Sequence, residues 1–178
     1  MEDKKVYLRK TVFSDLEHFA RWECDPAVTE FFTISEGRNY EEIATEFIER
    51  KDDDTCVDFT VVLSETDEPI GRIYISNINT HYDSMDITRI YIGEVPKRGL
   101  GLGEAALREA MAYGFDELGC ERVTLDHFTA NIRARNLYLK VGFKPEGCMR
   151  HGGKKNGEYV DLNLMSILKD EYYGDDPT

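Results

Sequence analysis

No stretch of the 178 residues approaches the run of about 20 apolar residues that a membrane helix needs. The opening Met1-Glu2-Asp3-Lys4-Lys5 has no apolar segment of the kind a secretion signal carries. These two absences lead to the expectation of a cytoplasmic protein with no membrane partner. Cysteine is scarce, and Cys24, Cys56, Cys120 and Cys148 lie far apart with no C-x-x-C pair, which argues against a metal site and against a compact disulfide framework. Buried or half-buried thiols are expected, and none has a local signature of an activated nucleophile. Positive charge is also short, 22 Lys and Arg against 35 Asp and Glu, so the formal net charge is −13. That balance disfavours a nucleic-acid backbone as partner and favours a cationic one. There is no internal repeat, linker or low-complexity tract, so residues 1–178 are read as a single domain.

The charge that is present is unevenly spread. Val95 to Lys155 holds eleven Lys and Arg against seven Asp and Glu, a net +4, which leaves −17 for the rest. A basic segment in an acidic chain suits an anionic cofactor at one end and a cationic substrate elsewhere, although acidic surface also serves solubility. Inside the basic segment runs Arg98-Gly99-Leu100-Gly101-Leu102-Gly103, entered by the apolar run Ile87 to Ile92 and followed by a helical pattern from Glu104. Glycines at a strand-to-helix junction let backbone N–H groups converge at a helix N-terminus, a setting for phosphate. A tight turn with no ligand is the competing reading. Neither a Walker A loop nor a dinucleotide fingerprint fits, because the first needs Gly-Lys-Ser/Thr and the second needs glycine where Glu104 stands.

Periodicity places an opening strand at Val6 to Lys10, then a helix through Trp22 capped by Ser14 with Glu17, and a short helix from Asp25-Pro26 towards Phe32. After a loop containing Gly37, Tyr40 to Arg50 reads as a helix with Ile43, Phe47 and Ile48 on its buried face. Strands are expected at Val57 to Leu63, Ile70 to Ile78 and Met85 to Ile92, with Gly71 marking a bulge or close backbone approach. The helix after the glycine loop extends to about Leu118, with Leu107, Ala110, Met111, Gly114 and Leu118 on one face, Glu104 and Arg108 paired on the other, and Gly119 as its stop. A strand from Arg122 to Phe128 follows, and this strand–helix–strand order implies one parallel pair. Asn131 to Lys140 is a helix ended by Gly142, and Asn156-Gly157 turns a hairpin between Phe143–His151 and Tyr159–Leu168.

Arg98-x-x-Gly101-x-Gly103 resembles the acyl-CoA pyrophosphate loop of the GNAT superfamily of N-acetyltransferases. Asn131-x-x-Ala134-x-x-x-Tyr138-x-Lys140-x-Gly142-Phe143 independently resembles the superfamily's downstream motif. The tail from Gly142 through Asn156-Gly157 to Met165, and Trp22 with Asp25-Pro26-Ala27-Val28, are similar to the branch holding ribosomal-protein N-terminal and spermidine acetyltransferases. The resemblance implies an α/β (α+β) GNAT-like domain with a mixed, mostly antiparallel sheet of six to seven strands, a splayed parallel pair and about four helices. It implies acetyl-CoA as cofactor, held by Arg98, Gly99, Leu100, Gly101, Leu102, Gly103, Asn131 and the backbone of Ile90 and Ile92. Tyr138 would protonate the leaving thiolate, and Asp86 or His127 would serve as general base.

The expected reaction is direct attack of a primary amine, of a polyamine or a protein N-terminus, on the thioester. A lysine-like amine near pKa 10.4 costs roughly 4 kcal/mol to deprotonate at pH 7, whereas an α-amino group near 7.7 to 8.0 needs almost no help. A silent acyl-CoA sensor and an acidic adaptor for a basic protein are the alternatives, and a homodimer stays open.

Overall fold

A computed structural model describes residues 4–33 and 38–174. The loop expected around Gly37 lies outside the described residues. Seven strands form one sheet: β1 (Val6–Lys10), β2 (Val57–Leu63), β3 (Glu68–Asn79), β4 (Ser84–Ile92), β5 (Arg122–Phe128), β6 (Lys144–Lys155) and β7 (Glu158–Leu168). Their order is β1-β2-β3-β4-β5-β7-β6, antiparallel throughout except for the β4–β5 pair. That exception follows from the crossover through α4 (Leu102–Ala112). No helix among the described residues is long and apolar enough to cross a membrane.

The sheet is covered on both faces. One face packs on α4 and α5 (Ile132–Val141), with Val61, Ile73, Met85, Ile87, Leu107, Met111, Val123 and Phe143 in the core. The other carries α1 (Leu16–Glu23), α2 (Pro26–Thr29) and α3 (Tyr40–Glu49) around Leu16, Phe19, Trp22, Ile43 and Tyr91. A five-residue α6 (Lys169–Tyr173) closes the described chain.

Two irregularities in β4 and its neighbour matter for function. Ile87 pairs with Ile75 and Arg89 with Tyr74, so Thr88 is an extra residue bulged out of register. The bulge resets the alternation: Met85 and Ile87 face the α4 side, and so do Ile90 and Ile92, while Tyr91 joins the opposite core. On β3, Gly71 permits the close approach expected of it, since a Cβ there would stand 2.3 Å from the Tyr91 carbonyl oxygen.

Several local expectations need correction. Ser14 does not cap α1; a 3₁₀ turn at Phe13–Asp15 leads into it, and Asp15 accepts from the Val12 N–H at 2.9 Å. Asp15 outcompetes Ser14 because its buried carboxylate also takes a bidentate pair from Arg9. The short helix α2 stops at Thr29, well before Phe32, though Asp25 caps it as expected. On α3, Ala44 takes the inward place given to Ile48, which is 60% exposed. Beyond Ala112 the chain widens into a π turn, Tyr113–Glu117, and this extra residue rotates Leu118 outward before Gly119 ends the run at φ +70°. Cys24 and Cys148 are exposed rather than buried; only Cys120 is fully buried.

Candidate active site

The parallel pair is short. β4 and β5 pair only over Ser84–Arg122, Met85–Val123 and Asp86–Thr124, after which they diverge. Beyond that point the edge of β4 facing β5 has no strand partner. Gly93 N–H returns to Ile70 on β3 at 2.8 Å, so Ile92, one residue earlier, presents its N–H and C=O to the open edge. The Ile92 carbonyl confirms this by accepting from Arg98 Nε at 3.0 Å. By the two-residue period Ile90 faces the same way. A cleft of about 560 Å3 fills the gap, lined by both strands, the α4 and α5 N-termini and the α2 exit.

At one mouth of the cleft lies the glycine loop. Gly99 and Gly101 adopt φ of +84° and +79°, the left-handed conformation that glycine alone takes without strain. Gly101 is the N-cap of α4 and brings no side chain to its first turn, so the leading N–H groups of an 11-residue helix are left for an outside acceptor. Gly103 lines the cleft and leaves space, a Cβ there reaching only Ile92 at 4.0 Å. Leu100 is exposed and its carbonyl accepts from Lys5, whereas Leu102 is buried in the core, and neither lines the cleft. Arg98 is turned inward and spends its guanidinium on the carbonyls of Ile92 and Ala27, the latter at 2.7 Å. It therefore braces the loop against β4 and α2, while Arg133 and Lys140 carry positive charge into the lining.

Asn131 caps α5 through Oδ1, which accepts from the Ala134 N–H at 3.0 Å. One turn further in, Tyr138 is 7% exposed and lines the cleft from the α4 side. Burial, with a smaller contribution from the charge of Asp126, holds its phenol well above the ordinary tyrosine range. His127 packs 5.8 Å from the Tyr138 ring. Its Nδ1 lies 2.8 Å from the Phe128 carbonyl, which can only accept, so Nδ1 carries a hydrogen. That Nε2 is buried without a partner.

The residue that sequence patterns missed is Asp126. Val123 and Leu125 point into the α4-side core, so Thr124, Asp126 and Phe128 face the α1–α3 side, where Phe128 meets the Phe31 ring at 6.2 Å. Asp126 lines the cleft, open to its solvent yet walled by protein. Loss of bulk solvation, then the neighbouring charge of Asp86, raises its carboxyl to about 6. Asp86 does not line the cleft; Thr88 and Thr124 each donate to it, at 2.8 and 2.7 Å, and burial raises its carboxyl despite them. The structure thus gathers Ile90, Ile92, Arg98, Gly99, Gly101, Gly103, Asn131, His127 and Tyr138 around one cleft, with Asp86 outside its lining.

Below the α1–α3 wall lies a buried ionic network. Glu23, fully buried, accepts from Arg72 at 2.8 Å, Tyr91 at 2.9 Å and Arg38 at 3.2 Å. Arg72 is also held bidentately by Asp58, and Arg38 and Arg50 by Glu46. Arg89 reaches this network from the cleft lining.

Residues 5–144 match the acetyltransferase (GNAT) domain. The uncharacterized N-acetyltransferase p20 of Bacillus licheniformis is 26% identical over 178 residues, covering 96% of this chain and 97% of that protein. The spermidine N(1)-acetyltransferase of Escherichia coli K12 is 30% identical over 111 residues, 62% of this chain and 59% of that one. In fold, the chain is similar to the spermidine N-acetyltransferase of Vibrio cholerae crystallised with CoA and spermine, with a TM-score of 0.88 and 22% identity over 97% of this chain and 100% of that one.

Proposed function

The chain belongs to the GNAT acetyltransferase family and is an acetyl-CoA-dependent N-acetyltransferase, and from that premise we propose that it acetylates an α-amino group by direct attack, with Asp126 as base and Tyr138 as donor to the leaving sulfur. The observation that carries this reading is the placement of two groups across the splay, the Asp126 carboxyl on the α1–α3 side and the buried Tyr138 phenol on the α4 side of one cleft.

The residues present fit the cosubstrate. The uncapped first turn of α4 and the two left-handed glycines suit a pyrophosphate, and the open edge of β4 suits a thioester arm. Acetyl-CoA supplies the activated acyl group. Asn131 retains its amide N–H groups for the arm after Oδ1 is spent on the cap. The Ile90 N–H polarises the carbonyl and stabilises the negative charge that grows on its oxygen, a device typically worth a few kcal/mol.

Asp126 receives the first proton the ammonium gives up, directly or through one water, before nitrogen bonds to the carbonyl carbon; the second nitrogen proton, acidic once the C–N bond has formed, passes through water to the departing sulfur, which leaves as CoA thiol. Tyr138 donates a hydrogen bond to the sulfur as the C–S bond breaks. A phenol held above its ordinary value stays protonated at every working pH, so the donor is always loaded. Full transfer to a thiolate near pKa 8.5 is uphill, and Tyr138 therefore stabilises the leaving group more than it acidifies the site. Asp86 and His127 are assigned support: Asp86 raises the carboxyl of Asp126, and His127 packs Tyr138 in place while its Nε2 stays sealed.

The acceptor follows from proton affinity. Against an α-ammonium near 7.7 to 8.0, a base at about 6 is short by about 2 pKa units, roughly 2.7 kcal/mol; against a polyamine near 10.4 the shortfall exceeds 4 units, roughly 6 kcal/mol. The net charge of −13 and the similarity to spermidine acetyltransferases favour a polyamine as the second reading. Release of CoA thiol from acetyl-CoA with a peptide N-terminus and with spermidine at equal concentration decides between them. Faster turnover of the peptide supports the α-amine; faster turnover of spermidine refutes it.

A further inference from the structure

Among the described residues the Arg89 guanidinium makes no hydrogen bond. Its side chain is 10% exposed, its Nη1 is buried without a partner, and its nearest carboxylate oxygen, on Glu23, stands 3.6 Å away. That nearer oxygen, Glu23 Oε1, already accepts from Arg72 and Tyr91. Counting the network gives four guanidiniums, Arg38, Arg50, Arg72 and Arg89, against three carboxylates, Glu23, Glu46 and Asp58. The surplus positive charge falls on Arg89, whose pKa is lowered by burial first and then by the charge of Arg72. A buried guanidinium with one long ion pair and no hydrogen bond is costly and is retained where something else completes it.

Arg89 also occupies a particular place. It follows the bulge at Thr88 and precedes Ile90, whose N–H faces the open edge, and it lines the cleft beside Phe31 and Phe32 on the same side as Asp126. A guanidinium presents a planar fork that matches a carboxylate bidentately. We propose that Arg89 is the acceptor-specificity residue and binds a carboxylate carried by the amine substrate, so that the acceptor class is a small amino acid rather than a simple polyamine. This rests on the proposed acetylation of an α-amine and adds the second group by which that amine is recognised; a free amino acid's own carboxylate holds its ammonium above the peptide value, and pairing that carboxylate with Arg89 brings it back down. Asp126 meets the ammonium end and Arg89 the carboxylate end, and a polycation would instead place a positive group against the surplus charge.

Three acceptor types separate the possibilities: free amino acids, the same amino acids as carboxamides, and spermidine. With wild-type protein, and with each rate referred to the concentration of neutral amine, CoA release is expected to show at least tenfold higher kcat/KM for the acids than for their amides, carried mainly by KM. In Arg89→Gln this ratio collapses towards one, and in Arg89→Lys, which keeps the charge and loses the fork, it falls between. N-acetyl amino acids, which keep the carboxylate and lack a free amine, are expected to inhibit competitively against the amine in the wild type, a readout that needs no variant to fold. Equal wild-type efficiency for acids and amides, or preference for spermidine, overturns the assignment of Arg89. Absence of CoA release with every amine sinks the acetylation reading itself.

Discussion

Asp126→Asn removes the proposed base while keeping the shape of the side chain, and its effect must depend on pH. In the wild type the carboxyl loses its proton near 6, so kcat/KM should rise through an acid limb with an apparent pKa of about 6. In the variant nothing takes the proton, and only the amine that is already neutral reacts. For a peptide α-amino group of pKa about 7.9, roughly one molecule in nine is neutral at pH 7. The expected loss there is therefore about tenfold, shrinking to near nothing at about pH 9, and the acid limb should move from about 6 to about 8. A lysine-like acceptor would lose about two to three further orders of magnitude at pH 7, since its neutral fraction is that much smaller. Thiol release measured across the pH range reads all of this. A stability arm accompanies it. The folded-state pKa of Asp126 lies above its ordinary 3.8, so folding favours the protonated form and that contribution is lost as pH rises through about 6. The amide is thus expected to melt higher than the wild type at neutral pH, with the gap closing below about pH 4. An acid limb that stays near 6 in the Asn variant, or a loss equal at neutral and alkaline pH, would refute Asp126 as the base.

Tyr138→Phe should lower kcat by about a hundredfold with the KM for acetyl-CoA nearly unchanged, since the phenol acts on the leaving sulfur; steady-state kinetics with the donor varied checks this. Gly101→Ala asks an L-residue to sit at φ +79°, costing on the order of 1 kcal/mol and shifting the N–H groups of the α4 turn, so the KM for acetyl-CoA should rise severalfold while Tm falls slightly. Gly93→Ala would drive a Cβ to 2.1 Å from the Trp22 ring, and thermal melting should show about 1–3 kcal/mol of lost stability.

Much of the fold is written in local chemistry. Asn156-Gly157 turns the β6–β7 hairpin with both residues at positive φ, and Gly142 at φ +112° ends α5 where the pattern placed the stop. The glycine loop was legible for the same reason, because positive φ and an uncapped helix start leave residue-level marks. What stayed hidden depends on register. Thr88 looks like any strand residue until its pairing with β3 shows the bulge, and only that bulge puts Arg89 beside Tyr91 on the acceptor face. Asp126 reads as a lone carboxylate until β5 diverges from β4 and opens a cleft beside it. Asp86 was the nearer choice by sequence because it precedes the loop on its own strand; two threonines donate to it, and the cleft lining passes it by. Arg98 carried a phosphate motif and proves to be committed to backbone carbonyls, an outcome set by where α2 packs.

The most direct test of the account follows the acetyl group itself. With acetyl-CoA labelled in the acetyl carbon and an amino acid as acceptor, mass spectrometry of both protein and small molecules at early times should find the label on the amine nitrogen in step with free CoA thiol and none bound to the protein. Label accumulating on the protein before the amine, or thiol released without an acetylated amine, would contradict direct attack in the β4–β5 cleft.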